Sequence, residues 1–319
     1  MRNNIKVLIV TFLIIIIGLS FSGCTKNQYS KKPALLPALK LPSYGGFIPH
    51  DFDVQLKADV SNTPHEMLVY KIDPIKINEE ETKKLCTIFG VDINAVSKED
   101  QQTVIRKQGN GELWIFKKTG FYNFSTKDLD NYFPQKQVPG DEECLTLAKS
   151  FVKKYELLPD LYQYRTSIDY TTYHPSFNED IIIDKTVTFH PIIDGKEVIG
   201  PKFGVTIGDK GKIEGVTSTL YNIIPVGIYP LKSIDEIVNE LKQDKAVHWW
   251  TELDNPDADK LIIEKVAFEY YGDIGTVFDL GQLFVQPIYK LQGEIIYKNG
   301  EKGRFTVALP AIDNQFIMP

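Results

Sequence analysis

The residues with the clearest chemical purpose are Phe21-Ser22-Gly23-Cys24. A signal peptidase needs small side chains beside its cut, and a thiol is the natural acceptor for a diacylglyceryl thioether. Arg2 and Lys6 supply a positive head, and residues 7–21 form an apolar run of 15 residues, short of the ~18–20 that span a bilayer comfortably. Charged head, short apolar middle and small-residue cut site are the parts of a secretory signal. Phe21 stands where lipid-directing signals usually carry leucine. Residues 1–23 are read as a bacterial lipoprotein signal, and Cys24 as the lipidation site and first residue of the mature chain. Acyl chains such as palmitate would then hold the chain on the extracytoplasmic face of a cell membrane, several chains giving a firm hold where one does not. The alternative, an uncleaved transmembrane anchor, has to explain the short run.

Other reactive side chains form weaker patterns. The histidines are His50, His65, His174, His190 and His248. No two stand at i, i+4 and no H-E-x-x-H occurs, so the zinc-protease signature is absent. His174 and His190 are candidates to face each other across strands, with Asp169, Asp180 or Asp184 nearby, as a metal site or an acid–base pair. The plainer reading makes them loop and strand-end residues, each followed by proline. No G-x-S-x-G elbow marks a serine nucleophile, and Ser233 is better placed as a helix cap. Glycines 195, 200, 204, 208, 211 and 215 punctuate strands, with no Gly-Lys-Ser or Gly-Lys-Thr to make a phosphate loop. Glu264 and Glu269 have the side chains of glycoside hydrolysis, but that chemistry needs a separation of ~5–10 Å that spacing alone does not set. No catalytic residue, metal ligand or cofactor motif is therefore assigned. The adjacent pair Trp249 and Trp250 is the candidate partner contact, since tryptophan is enriched at binding hot spots. Its competing role is to cap the core where a helix ends.

Composition narrows the partners. The 319-residue chain has a formal charge of −6; losing residues 1–23, with two positive and no negative side chains, takes it to −8. An acidic chain without a basic block has nothing to neutralise phosphate, which argues against nucleic acid. A hydrophobic fraction of 43% and an aromatic fraction of 12% belong to a folded chain. Besides Cys24 there are Cys86 and Cys144, 58 residues apart. An oxidising compartment permits a bridge between them. Apolar neighbours Leu85, Ile88, Leu145 and Ala148 favour two buried free thiols.

The elements that must position these residues follow from local signals. Residues 24–50, broken by Pro33, Pro37, Pro42 and Gly45-Gly46, read as a tether. Asn78 with Glu81 caps a helix over 79–89 that Gly90 ends. A second helix spans 141–155, acidic at its start and basic at its end. A third begins at Ser233 with Glu236 as its box partner. Between the helices lie alternating stretches at 103–107, 112–118, 121–124, 167–173, 185–191, 196–207, 212–221, 261–271, 283–290, 293–298 and 304–309, with Asp194-Gly195 and Asn299-Gly300 as tight turns. Short helices cannot hold apolar stripes in water by themselves. The expectation is therefore α+β: successive helix-plus-antiparallel-sheet units, divided as 51–135, 136–230 and 231–319.

Two stretches carry a family resemblance. One is Thr186-Val187-Thr188-Phe189-His190, Asp194-Gly195-Lys196-Glu197-Val198, Gly204-Val205-Thr206-Ile207 and Gly211-Lys212-Ile213, leading to Leu231-Lys232-Ser233. The other is Ala267-Phe268-Glu269-Tyr270-Tyr271, Gln286-Pro287-Ile288-Tyr289-Lys290-Leu291-Gln292-Gly293 and Val307-Ala308-Leu309-Pro310-Ala311. Over residues 140–311, with a weaker copy at 75–125, this resembles the PepSY-like modules of Gram-positive extracytoplasmic lipoproteins and the YycH/YycI-type regulators of a sensor kinase. The chain departs from the latter in having a cleavable lipid signal where they retain a transmembrane helix. The resemblance implies regulation or partner binding without catalysis, toward a membrane sensor, a protease or a peptide. The competing expectation is a secreted hydrolase assembled from distant residues, with His174, His190 and Asp184 as its site.

Overall fold

A computed structural model describes residues 34–39, 52–100, 103–109, 111–126, 137–176, 179–243, 248–251, 257–272 and 283–318. Their elements run, in chain order, β1 (Asp53–Leu56), β2 (Glu66–Asp73), α1 (Glu79–Phe89), β3 (Val96–Glu99), β4 (Thr103–Gln108), β5 (Gly111–Phe116), β6 (Tyr122–Ser125) and α2 (Asp141–Tyr155). Then come β7 (Gln163–Ser176), β8 (Glu179–Ile193), β9 (Lys196–Ile199), β10 (Phe203–Ile207), β11 (Ile213–Ser218), β12 (Asn222–Pro230) and α3 (Ile234–Lys242). The chain continues through β13 (His248–Thr251), β14 (Ala258–Tyr271), β15 (Phe284–Tyr297) and β16 (Lys302–Pro310).

The helices start where local chemistry puts them. In α1 the Asn78 side chain accepts from the Glu81 backbone while the Glu81 carboxylate accepts from the Asn78 N–H at 2.8 Å, and Gly90 closes the helix at φ 65°. Ser233 and Glu236 do the same for α3. No side chain caps α2, which opens from Gly140 with Asp141, Glu142 and Glu143 in its first turn. Asn78→Ala and Ser233→Ala are each expected to lower stability by about 1 kcal/mol, measured by urea denaturation, whereas Gly140→Ser should not destabilise.

The strands do not stay within separate units. Among the described residues, sixteen strands join in one mixed sheet whose main path is β12-β2-β15-β14-β9-β8-β10-β11-β6-β5-β4-β3, with β1 on β14, β7 on β8, β16 on β15 and β13 on β16. Most pairs are antiparallel, but β1 and β9 both run parallel to β14. This corrects the expected α+β arrangement of successive helix-plus-antiparallel-sheet, PepSY-like units: the molecule is mostly β-sheet, with three α-helices among the described residues. The reason lies in strand length. β8 spans 15 residues and β14 and β15 span 14 each, long enough to change partner along one edge. β8 meets β10 through residues 185–189 and β9 through 192–193. β15 gives Phe284 and Val285 to β2 and residues 288–296 to β16. Each change of partner joins stretches that the turn signals had separated.

Among the described residues, the three largest buried clusters hold the sheet together. Leu85 and Cys86 of α1 and Cys144, Ala148 and Val152 of α2 cover Leu113, Phe124, Val187, Phe189, Phe203 and Val205. Ile237 and Leu241 of α3 cover Leu261, Ile263, Leu291, Ile295, Phe305 and Val307. The third cluster sits where β9 joins β8 to β14 and includes the tyrosines Tyr70, Tyr162 and Tyr221. Their hydroxyls are bonded: Tyr162 donates to Tyr221 O at 2.6 Å, Tyr221 to Gly272 O at 2.7 Å and Tyr70 to Asp194 Oδ2 at 2.7 Å. Buried tyrosines are stable only with such partners. Asp194 and Gly195 form the tight β8–β9 turn with φ of 51° and 73°.

Candidate functional site

The histidine pair does not assemble. The β7–β8 hairpin closes between Ser176 and Glu179. His174 therefore lies near the closed end, exposed, its Nδ1 2.7 Å from Asp180 Oδ1. His190 lies opposite Arg165 at the other end of the same hairpin, roughly 30 Å away at ~3.3 Å per residue. Asp184 is buried opposite Thr171 between them. Glu264 and Glu269 also serve different partners, Arg304 at 2.7 Å and Lys290 at 2.9 Å. Among the described residues no group of three or more His, Cys, Asp or Glu could hold a metal ion.

Cross-strand register instead gives His190 partners that no motif announced. Ser167 on β7 lies opposite Thr188, and Glu197 on β9 lies opposite Ile192, so both are diagonal to His190, within reach of a long side chain. Ser167 Oγ is 2.8 Å from His190 Nε2, and Glu197 Oε1 is 3.5 Å from His190 Nδ1. The Arg165 guanidinium pairs with the other Glu197 oxygen. Burial holds the His190 pKa below the usual histidine range, and the Glu197 charge opposes this without overcoming it. A histidine with a depressed folded pKa binds a proton more readily when unfolded. Its stabilising contribution is therefore present above the unfolded pKa of ~6.5 and is lost as pH falls through the folded one. His190→Asn should flatten the slope of stability between pH 7 and 5, read by denaturant titration at each pH; an unchanged slope would show that His190 does not titrate with folding.

A second feature is concave. A cavity of about 170 Å³ opens between the segment before α1, α1 itself, the turn after α2 and the ends of β6 and β11. Its apolar lining comes from Ile75, Ile77, Leu85, Leu157, Leu220 and the Tyr122 ring. Tyr122 and Ser218 stand opposite each other in the β6–β11 pair. Burial pushes the Tyr122 hydroxyl well above the usual tyrosine range. Charged lining is confined to Glu81, Lys84 and Glu156. Gly120 shapes the wall: it adopts φ 70°, and a Cβ there would lie 1.8 Å from Ile75 O. Only glycine lets those two backbones approach so closely. No spacing signal marks this site, because its walls come from four separate stretches.

The remaining candidates divide as follows. Cys86 and Cys144 are free and buried, and burial raises both thiol pKa values, which suits inert core residues. Trp249 and Trp250 belong to β13 and pair with Val307 and Thr306; their side chains lie outside the described residues, as does Cys24. No helix among the described residues is long and apolar enough to cross a membrane. Compared with known proteins, the chain matches no family model, no curated protein and no solved structure.

Proposed function

We propose that this chain is a lipid-anchored extracytoplasmic binding or regulatory module, without catalysis of its own. Its anchor is acyl chains on Cys24, and its partner is a membrane sensor, a protease or a peptide. The observation that carries the binding half is the apolar cavity with charges confined to Glu81, Lys84 and Glu156. Pockets of this chemistry, apolar inside with a few polar groups to fix orientation, are how proteins hold small apolar groups. The lipobox-like sequence carries the anchoring half. Mass spectrometry of the protein from its native membrane should find the N-terminus at a diacylglyceryl-modified Cys24, and Cys24→Ser should leave the membrane fraction. An intact N-terminus with a free thiol overturns the anchor. Measured turnover of a cell-wall or peptide substrate overturns the absence of catalysis.

One observation favours the second reading, a secreted hydrolase: Ser167, His190 and Glu197 follow one another as nucleophile, base and carboxylate do in acyl-transfer enzymes. Against it, Ser167 sits within strand β7, not on a sharp strand-to-helix turn. The 3.5 Å between His190 and Glu197 is also long for an orienting hydrogen bond. A fluorophosphonate probe separates the readings. Labelling of Ser167 that disappears in His190→Asn makes the protein a hydrolase; an unlabelled Ser167 leaves the trio a cross-strand polar contact.

A further inference from the structure

We propose that the cavity beside α1 captures the amino-terminal residue of a peptide whose first side chain is apolar, leucine or phenylalanine in size. The inference rests on the binding reading above and names the ligand class of that same site.

Volume sets the first limit. About 170 Å³ is close to the ~150 Å³ of an apolar protein cavity that takes up benzene, and below the ~300–1,000 Å³ of sites that enclose whole drug-sized ligands. One ring or one branched alkyl group fits; a nucleotide or an oligosaccharide does not. Lining chemistry sets the second. Leu85, Gly120, Tyr122, Ser218 and Leu220 are the buried lining residues and so form the deep part. Leu85 and Leu220 offer no polar side-chain atom, so a polar group buried against them would lose its water without replacement. The part that enters is therefore mainly apolar.

Charge sets the third. Glu156 and Lys84 are exposed, and Glu81 is half-buried. Two carboxylates and one ammonium belong to the lining, and that net negative charge favours a cation. Glu81 spends Oε2 on the Asn78 N–H, which leaves Oε1 for another donor. Glu156 is held at the α2 terminus with φ 52°, beside the lining residues Leu157 and Pro159. A ligand that matches puts a positive charge within a few bonds of an apolar group. In a peptide the amino-terminal residue does this, its α-ammonium sitting on the same carbon as its side chain. A lysine or arginine side chain carries its charge at the far end of a flexible stem, and an internal leucine or phenylalanine carries none.

The test uses the intact chain in detergent, with toluene and three tripeptides as probes: Phe-Gly-Gly, its N-acetylated form, and Gly-Gly-Phe. Saturation-transfer NMR with toluene reports whether the cavity admits an apolar group at all. Competition of each peptide against toluene reports the ligand class. Expected is displacement by Phe-Gly-Gly at least about tenfold stronger than by the acetylated peptide or Gly-Gly-Phe, the worth of one charge-assisted contact. Glu156→Lys, at an exposed position, should abolish that preference. Leu157→Trp, which fills the cavity from a half-buried position, should abolish toluene binding as well. Equal displacement by the acetylated peptide, or toluene binding without peptide competition, overturns the peptide-terminus proposal and leaves the binding module standing. No toluene signal overturns both.

Discussion

Replacing Gly293 with alanine lowers stability by about 3 kcal/mol or more, at the upper end of what overpacking costs. Gly293 lies within β15, between Ile263 of β14 and Phe305 of β16. A Cβ on it would stand 1.8 Å from Ile262 O, 2.9 Å from Ile262 C and 3.1 Å from Glu264 N. All three are backbone atoms, so no side chain can swing aside. They belong to the stretch of β14 where the register shifts between Ile263 and Lys265, a bulge that brings one strand's backbone over its neighbour. Relief requires β14 to move, and β14 carries β1 on the register 260–263 and supplies Leu261 and Ile263 to the core under α3. Gly300 is the control. Its φ is 85°, but a Cβ there meets nothing within 4 Å, so Gly300→Ala should cost only about 1 kcal/mol of backbone strain. At about 2–4 °C per kcal/mol for a chain of this size, Gly293→Ala should melt roughly 6–12 °C lower than wild type, and Gly300→Ala only a few degrees lower. Equal losses in the two variants would mean that the β14–β15 approach is not tight.

Gly293 also shows where the sequence stops being informative. The helices were legible because their signals are local: Asn78 and Glu81, or Ser233 and Glu236, are three residues apart and close their own ring of hydrogen bonds. Asp194-Gly195 was legible for the same reason, since both residues must take positive φ and the turn needs nothing else. What a glycine inside an alternating strand is for depends on a neighbour 30 residues away. The fold class failed on the same ground. Alternation marks β8 and β15 as strands but carries no trace of where along them one partner gives way to the next, and those changes are what merge the expected units into one sheet. The site followed suit. His190 was visible as a residue worth watching, but the hairpin register sent it to Ser167 and Glu197 and left His174 with Asp180. The cavity was invisible, because Ile75, Leu85, Tyr122, Leu157 and Leu220 read as ordinary core residues until four stretches of chain meet around a space they do not fill.

Lys232→Met alone should destabilise by about 3 kcal/mol or more, and Lys232→Met with Glu240→Leu should recover most of that loss. Lys232 follows β12 and its side chain is only 6% exposed; Nζ donates to Glu240 Oε2 at 2.8 Å and to Pro310 O at 3.2 Å. Glu240, on α3, is 14% exposed, and its other oxygen accepts from Asn314 at 3.3 Å. The backbone of Lys232 is held as firmly: its N–H donates to Ala311 O at 2.8 Å and its carbonyl accepts from Tyr289 at 2.6 Å. The pair thus ties α3 and the end of β16 to the strand leading out of the sheet. Both groups gave up water to reach this place, and their attraction at low dielectric offsets that loss without much surplus. Removing the lysine leaves a carboxylate with one amide donor where it had an ammonium as well, and an orphaned buried charge costs about 3–5 kcal/mol. Removing both replaces two desolvated charges with apolar groups of similar volume, a change that is often near neutral. The double-mutant cycle should therefore return a coupling of about 2 kcal/mol or more. It should also be nearly insensitive to salt, since screening acts on exposed charges. The exposed pair Lys83–Glu79 at 2.7 Å supplies the contrast: its cycle should return a far smaller coupling, falling with ionic strength. If the two cycles agree, the burial of Lys232 is not what gives its ion pair its strength.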